Sequence, residues 1–291
     1  MGLDSARWRR LAWLGAARGP LVWLRISPPP IGLLAAALSS RQRHHVRESL
    51  RSLLGRRNPV VEHVDVARTF VHFAQSLAEG LALGDPKRTP TLRVFGERYL
   101  HEALERGAGV ILGTAHTAGW EAALVGLERV SDVPVLVAML PEREPDARSF
   151  HPASHGALRR VVQVGDPMSS LSLLQHLRSG GMVAMQLDRC PPGMKSVEVR
   201  AGCRFWQLPA GPFALAATSG APIVVVLSRR TGFLSYELHV TRPICVARSD
   251  RRATRAAERV ARELARHVYA APTQWFDFAP ADVPADAPVK S

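Results

Sequence analysis

The chain has 291 residues, of which 46% are hydrophobic and 22% charged, a globular composition that excludes disordered, collagen-like and coiled-coil chains. This length fits one or two domains and allows a large core. The formal net charge is +13, and only three of the 38 cationic residues are lysines, so the surplus of arginine favours anionic partners.

The first 40 residues combine apolar and basic side chains. Their longest uninterrupted apolar stretch covers only residues 31–38, well short of the roughly 20 residues that a membrane-spanning helix needs. Trp8, Trp13 and Trp23 lie among arginines, and indole and guanidinium groups both suit the headgroup boundary. We predict that residues 1–40 form a helical, membrane-associating segment at the interface. The alternative is a helix packed on the domain.

The remaining chain reads as one α/β domain over residues 41–278. Apolar side chains recur every three or four positions in residues 41–80 and predict two helices separated near residues 55–59. Short apolar strands then alternate with helical stretches, which is typical of an α/β sheet. A flexible tail is expected over residues 279–291. The predicted strands cover 109–113, 133–139, 161–164, 182–187, 222–228 and 234–241, and the predicted helices cover 99–105, 120–127, 169–178, 209–219 and 252–269.

The residues most suited to chemistry follow the first strand of this sheet. His116 leaves the strand end and Glu121 lies one turn into the next helix, so the two side chains are expected to share a hydrogen bond. Glu121 would then fix the imidazole tautomer, and His116 would act as a general base toward an incoming hydroxyl. Unpaired N–H groups at the helix N-terminus would favour an anion or an oxyanion.

The stretch His116-Thr-Ala-Gly-Trp-Glu121 resembles the His-x4-Asp/Glu motif of glycerolipid and lysophospholipid acyltransferases. Its His-x-x-x-Trp-Glu form is similar to that of the lipid A biosynthesis (lauroyl/myristoyl) acyltransferase family. Further blocks in the family's order support the likeness across about residues 40–278: Leu177 to Arg189, Gly202, Pro209-Ala-Gly211-Pro212, Gly220-Ala-Pro222 and Pro272-Thr-Gln-Trp275-Phe276.

This resemblance implies a mixed, mostly parallel sheet flanked by helices and an O-acyltransferase acting at the cytoplasmic face of the inner membrane. An acyl chain would pass directly from acyl carrier protein or coenzyme A to a hydroxyl of an anionic lipid or glycolipid, with no cofactor. The sequence has no Gly-x-Ser-x-Gly nucleophile elbow, and none of its three dispersed cysteines adjoins the histidine motif. The cysteine pattern also favours a reducing compartment.

Four further positions are candidates for substrate binding. Asp188 and Arg189 end a strand, where Arg189 would contact an acidic headgroup and Asp188 would orient it; the alternative is an internal ion pair that caps the following loop. Arg159, beside Arg160, lies where related enzymes place a substrate-binding arginine. Gly211 belongs to the Pro-x-Gly-Pro block. No metal site is expected, because His151 and His155 lack a third ligand.

Two other functions compete with an acyltransferase. A catalytically inactive, lipid-binding relative would keep the fold without the chemistry. A basic nucleic-acid-binding protein would explain the arginine content, although the sequence has no recognisable nucleic-acid module. The arginine-rich stretches 41–57 and 248–266 are expected to be solvated helix faces or to meet anionic lipid.

Overall fold

The computed structural model describes residues 14–16, 18–83, 88–140, 159–165, 167–247, 250 and 253–278. The predictions made for Trp8, Trp13, His151, His155 and the tail over 279–291 lie outside these residues. Within them, an α/β fold is confirmed, with an apolar helical segment before it.

From Leu21 onward, four helices precede the sheet, and the described residues 14–16 and 18 before them are also helical. The first two are short and apolar, and the next two follow the helical periodicity of the sequence, separated at Gly55 as predicted. Asn58 caps the fourth helix, because its side chain accepts a hydrogen bond from the Val60 N–H at 2.9 Å. These helices are α1 (Leu21–Ile26), α2 (Pro28–Leu38), α3 (Ser40–Leu54) and α4 (Pro59–Ala82).

The N-terminal segment is more continuously helical than the sequence suggests. Proline stands at the start of α2, where its missing N–H costs nothing, so Pro28 to Pro30 extend the helical stretch instead of breaking it. Residues Leu21–Leu38 have a mean hydropathy of 1.5 and are only 22% buried. The prediction that no apolar stretch is long enough to cross a membrane was therefore wrong by length and composition.

A seven-stranded sheet forms the centre of the domain, in the order β1-β9-β8-β2-β5-β3-β4. All neighbouring strands are parallel except β8 and β9, which form an antiparallel pair. The strands are β1 (Thr91–Phe95), β2 (Val110–Thr114), β3 (Val135–Met139), β4 (Arg159–Gln163), β5 (Met182–Gln186), β8 (Ile223–Gly232) and β9 (Ser235–Val240), and a separate hairpin pairs β6 (Ser196–Ala201) with β7 (Arg204–Pro209).

Helices cover both faces of the sheet. One face packs the side chains of Leu100 and Leu124, and the other packs those of Leu177, Phe213 and Leu264. Strand β2 is buried on both faces, as expected for a central strand of a parallel sheet. The helices are α5 (Arg98–Leu104), α6 (Trp120–Val130), α7 (Pro167–Arg178), α8 (Ala210–Ser219) and α9 (Thr254–Ala270), followed by a 3-10 turn over Pro272–Gln274.

Candidate active site

The strand–turn–helix around His116 forms as the sequence predicts. Strand β2 ends at Thr114 in the buried centre of the sheet, and α6 begins at Trp120. Gly119 precedes α6 with a φ of 84°, and a Cβ there would collide with the ring of Tyr236. Glycine is therefore required for both conformation and space. The turn places His116 at the carboxyl edge of the sheet, where parallel α/β folds bind their ligands.

The imidazole of His116 pairs with Asp188, which follows the neighbouring strand β5. His116 Nδ1 lies 2.8 Å from Asp188 Oδ1, and the His116 backbone N–H donates to the same oxygen at 3.2 Å. The Asp188 side chain is fully buried, whereas that of His116 is 27% exposed. Because a carboxylate oxygen only accepts, the contact places the hydrogen on Nδ1 and leaves Nε2 able to accept a proton.

Trp275 completes the environment of Asp188. Its indole Nε1–H donates to Asp188 Oδ2 at 2.8 Å, so both carboxylate oxygens are engaged. Burial alone would raise the pKa of Asp188, but His116, Arg189 and the Trp275 indole outweigh it and hold that pKa below its usual value. Asp188 therefore stays ionised beside the imidazole.

The indole of Trp275 is itself held by a cluster of charges. The Arg204 guanidinium lies over the ring of Trp275 at 4.7 Å from its centroid and over that of Trp206 at 5.4 Å. Arg204 also reaches Asp277 Oδ2 at 3.4 Å, and Ser49 donates to the same oxygen at 2.6 Å. Helix α3 is thus linked, through Asp277 and Arg204, to the indole that bonds Asp188.

Glu121 does not pair with His116, contrary to the sequence-based expectation. The described residues contain no hydrogen bond between the two side chains, and Glu121 Oε2 is buried without a hydrogen-bond partner. Its carboxyl carbon lies 3.1 Å from where a Cβ would stand on Gly80 of α4. Burial raises the pKa of Glu121 to about 8, although its own backbone and the Trp120 side chain bond to it. The predicted hydrogen bond between Glu121 and His116 was therefore wrong, and Asp188 contacts the imidazole in its place. A catalytic role for Glu121 stays a prediction.

Helix α4 is packed directly on the turn that carries His116. Ser76 Oγ accepts the Gly119 N–H at 3.0 Å, and Glu79 forms an ion pair of 2.7 Å with Arg230. The hydroxyl of Tyr236 donates to Glu79. The N-terminal helices therefore contribute to the wall of the site.

The backbone N–H groups of the turn that carries His116 are already occupied. Each of the four N–H groups in residues 116–119 donates within the protein. Their acceptors are Asp188 Oδ1, the carbonyl of Ala115, the carbonyl of Gln274 and Ser76 Oγ. These four N–H groups belong to the turn that ends at the N-cap of α6, so the expectation of unpaired N–H groups within the first turn of α6 stays a prediction.

The other predicted positions are dispersed. Arg189 lies beside the site, where Nη1 is 3.2 Å from the Phe276 carbonyl and 3.5 Å from Asp277 Oδ1, so an internal ion pair forms, with Asp277 as its partner. Arg159 lies level with Val110, at the edge of the sheet opposite His116 and about 20 Å away along the strands. It is not part of the site around His116.

Gly211 is exposed near the start of α8, and a Cβ there would meet nothing within 4 Å. Its predicted role in substrate binding stays a prediction. Among the described residues, no group of three or more His, Cys, Asp or Glu side chains could hold a metal ion.

Comparison with protein families gives one match that covers nearly the whole chain. The family described as bacterial lipid A biosynthesis acyltransferase matches residues 10–280. This chain belongs to that family. The matched residues include His116, Asp188 and Trp275, and thus every residue of this arrangement. No curated protein matches the chain.

Membership of the lipid A acyltransferase family establishes an acyltransferase of the lipid type and confirms the resemblance seen in the motifs. Sequence reasoning missed the roles of Trp275, Arg204 and Asp277 in this site. The Trp275-Phe276 segment was visible as a block shared with the family, but nothing in its local sequence indicates a bond to Asp188. Arg204 and Asp277 carry no local signal, because both act through contacts between distant segments.

Proposed function

We propose that this chain is a membrane-associated O-acyltransferase that moves a fatty acyl chain from a thioester to a hydroxyl of a lipid or glycolipid. The observation that carries the proposal is the pairing of a partly exposed His116 with a buried, ionised Asp188 in a lipid A acyltransferase-family chain. In this site His116 is the general base, and Asp188, in place of Glu121, is the residue that positions it.

The reaction requires two proton transfers, one to His116 and one from it, and one substitution at carbon. His116 Nε2 takes the proton from the acceptor hydroxyl while the hydroxyl oxygen attacks the thioester carbonyl. The new C–O bond forms, the C–S bond breaks, and the imidazolium returns the proton to the leaving thiolate. Asp188 stabilises the imidazolium by its charge and by accepting the Nδ1–H.

The chain's own cysteine near the site is poorly suited to a covalent intermediate. Cys190 Sγ lies within 3.6 Å of the carbonyl oxygens of Pro191, Met194 and Lys195 in its own loop. Burial raises the pKa of its thiol, which lowers the fraction present as thiolate. Direct transfer from acyl carrier protein or coenzyme A to the acceptor fits this environment better than transfer through an acylated Cys190.

The membrane contact that we propose is the surface of α1 and α2. These two helices expose eight large apolar side chains, each between 49% and 76% accessible: Leu21, Val22, Trp23, Ile26, Ile31, Leu33, Leu34 and Leu38. Exposed apolar side chains grouped in this way on a protein surface mark an interaction site. Arg25 lies among these side chains, so apolar burial and attraction to anionic headgroups would act together at the cytoplasmic face of the membrane.

Replacing Trp23, Ile31 and Leu34 by serine is expected to lower binding to anionic phospholipid vesicles at least about tenfold, because each buried side chain contributes about 1.5–3 kcal/mol when fully withdrawn from water. Vesicle sedimentation of the purified protein measures the change. A matched variant, Met168→Ser with Phe205→Ser, removes comparably exposed apolar side chains outside α1 and α2 and should sediment normally. Equal losses in both variants would contradict the assignment of the membrane contact.

The proposed activity is tested with the purified protein, a radiolabelled acyl thioester and lipid acceptors in mixed micelles. The expected result is a labelled lipid with one additional ester, formed by the wild-type protein and not by His116→Ala. Acceptors with and without a free hydroxyl form the matched comparison. Release of free fatty acid alone, or no turnover of any thioester, would contradict an acyltransferase function.

A further inference from the structure

Four exposed arginines form one row along helix α9. Arg255, Arg259, Arg262 and Arg266 follow one another at intervals of four, three and four residues, which places them on the same face of the helix. The row is about 16 Å long, because eleven residues separate its ends at 1.5 Å each. The alanine, valine and leucine side chains on the opposite face of α9 are buried, and this helix packs against the β6–β7 hairpin and strand β8.

The charges of this row are largely uncompensated. Arg266 pairs with Glu263 at 3.1 Å, whereas the side chains of Arg255, Arg259 and Arg262 form no ion pair within the part of the chain that the structure describes. Fixed positive charges on a rigid helix attract an anionic partner and accelerate its association.

The row leads to the candidate active site. At its C-terminal end, His267 Nε2 lies 2.9 Å from the Ser228 carbonyl, and Ser228 Oγ lies 3.2 Å from Thr117 Oγ1. Thr117 is the neighbour of His116. Helix α9 then continues through the 3-10 turn to Trp275, which bonds Asp188. A partner lying along the row therefore has one end at the edge of the sheet where His116 is found.

The composition of this face favours a protein over a lipid surface. Helices that lie on membranes combine basic residues with exposed apolar ones. Helix α9 has no exposed large hydrophobic side chain, and exposed Glu258 and partly exposed Glu263 interrupt its basic face. A mixed but predominantly basic row instead matches a mainly acidic protein surface with some basic groups.

We propose that the arginine row of α9 docks the acyl donor in the form of a small acidic acyl-carrier protein. This proposal rests on the proposed function and extends it, because it assigns the surface on which a carrier-protein donor docks. Docking along α9 brings the carrier's thioester-bearing arm to the edge of the sheet that holds His116.

Charge reversal of the row tests the proposal. The Arg259→Glu/Arg262→Glu variant is compared with Arg129→Glu/Arg178→Glu, which changes the net charge equally. Arg129 and Arg178 are also exposed, and they lie in the last turns of α6 and α7, which lead into the amino ends of β3 and β5. Both variants are assayed with a purified, acylated bacterial acyl carrier protein and with the same acyl group on uncharged N-acetylcysteamine, in neutral detergent micelles.

We expect Arg259→Glu/Arg262→Glu to lower kcat/KM for the carrier protein at least about tenfold and to leave the N-acetylcysteamine thioester within about twofold. The control variant should match the wild-type protein with both donors. Raising the ionic strength should lower kcat/KM for the carrier protein and leave that for the N-acetylcysteamine thioester unchanged. The reason is that salt screens the electrostatic attraction that accelerates association of charged partners.

Three outcomes would overturn the proposal. The first is that Arg259→Glu/Arg262→Glu leaves kcat/KM for the carrier protein unchanged. The second is that this variant loses kcat/KM equally with both donors. The third is that it sediments less with anionic vesicles while its kinetics with the carrier protein are unchanged. Direct binding of the carrier protein, measured by fluorescence anisotropy, separates this proposal from the proposed function. If the wild-type protein turns over no thioester, the proposed acyltransferase function is contradicted. A loss of carrier-protein binding in Arg259→Glu/Arg262→Glu, measured by anisotropy, would still support the docking surface.

Discussion

Asparagine in place of Asp188 is expected to slow acyl transfer by about 10²- to 10⁴-fold, and His116→Ala should fall in the same range, because general-base catalysis contributes that much. The asparagine amide can donate to Nδ1, which would move the imidazole hydrogen to Nε2 and remove the base. The Trp275 indole can still donate to the remaining carbonyl oxygen. Steady-state kcat with saturating donor and acceptor measures the effect, with circular dichroism as the check on folding.

Glu121→Gln is the matched control for that experiment. Because burial holds the pKa of Glu121 at about 8, its carboxyl is mostly neutral at pH 7, and a neutral amide of nearly the same shape replaces it. We expect kcat within about threefold of the wild-type value. If Glu121→Gln is as inactive as His116→Ala while Asp188→Asn retains activity, the assignment of Asp188 as the positioning residue is contradicted.

The stability of the protein should depend on pH through Glu121. Its pKa lies near 8 in the folded protein against a usual value of 4.5, so between these values the folded state binds more protons than the unfolded state. Stability from this group is therefore present in full at low pH and is lost as pH rises toward 8. Relative to Glu121→Gln, the wild-type protein should lose about 3 kcal/mol of unfolding free energy between pH 5 and pH 8.

Urea unfolding of both proteins at several pH values measures this difference. The comparison with Glu121→Gln cancels the titration of every other group, because those groups are common to the two proteins. A difference in unfolding free energy that stays constant from pH 5 to pH 8 would show that Glu121 titrates normally and is solvated. A difference of opposite slope would show that its carboxylate is stabilised by a cation.

The turn around His116 was predictable because its determinants are local. An apolar run without polar interruption indicates a buried strand, and Gly119 marks the tight turn before the helix. The same local reasoning failed for Glu121. The spacing of five residues between His116 and Glu121 does not indicate where the Glu121 side chain lies. In the structure it enters the interface between α6 and α4, where Gly80 leaves room for its carboxyl.

The partner of His116 could not be found from the sequence, because it depends on which strands are neighbours. Asp188 is 72 residues away and reaches His116 only because β5 pairs directly with β2. Sheet order is a property of the whole fold. The contact of Trp275 with Asp188 spans 87 residues and depends also on where α9 ends. Strand β1 was missed for a different reason: it is a short edge strand with an exposed, alternating pattern.

The central claim is that this member of the lipid A acyltransferase family esterifies a lipid hydroxyl with His116 as the general base. It is tested most directly by mass spectrometry of membrane lipids from cells that lack the gene, complemented with the wild-type chain or with His116→Ala. We expect the deletion to lose a lipid species and accumulate one lighter by a single acyl group, with recovery only by the wild-type chain. An unchanged lipid profile, or full recovery by His116→Ala, would contradict the account.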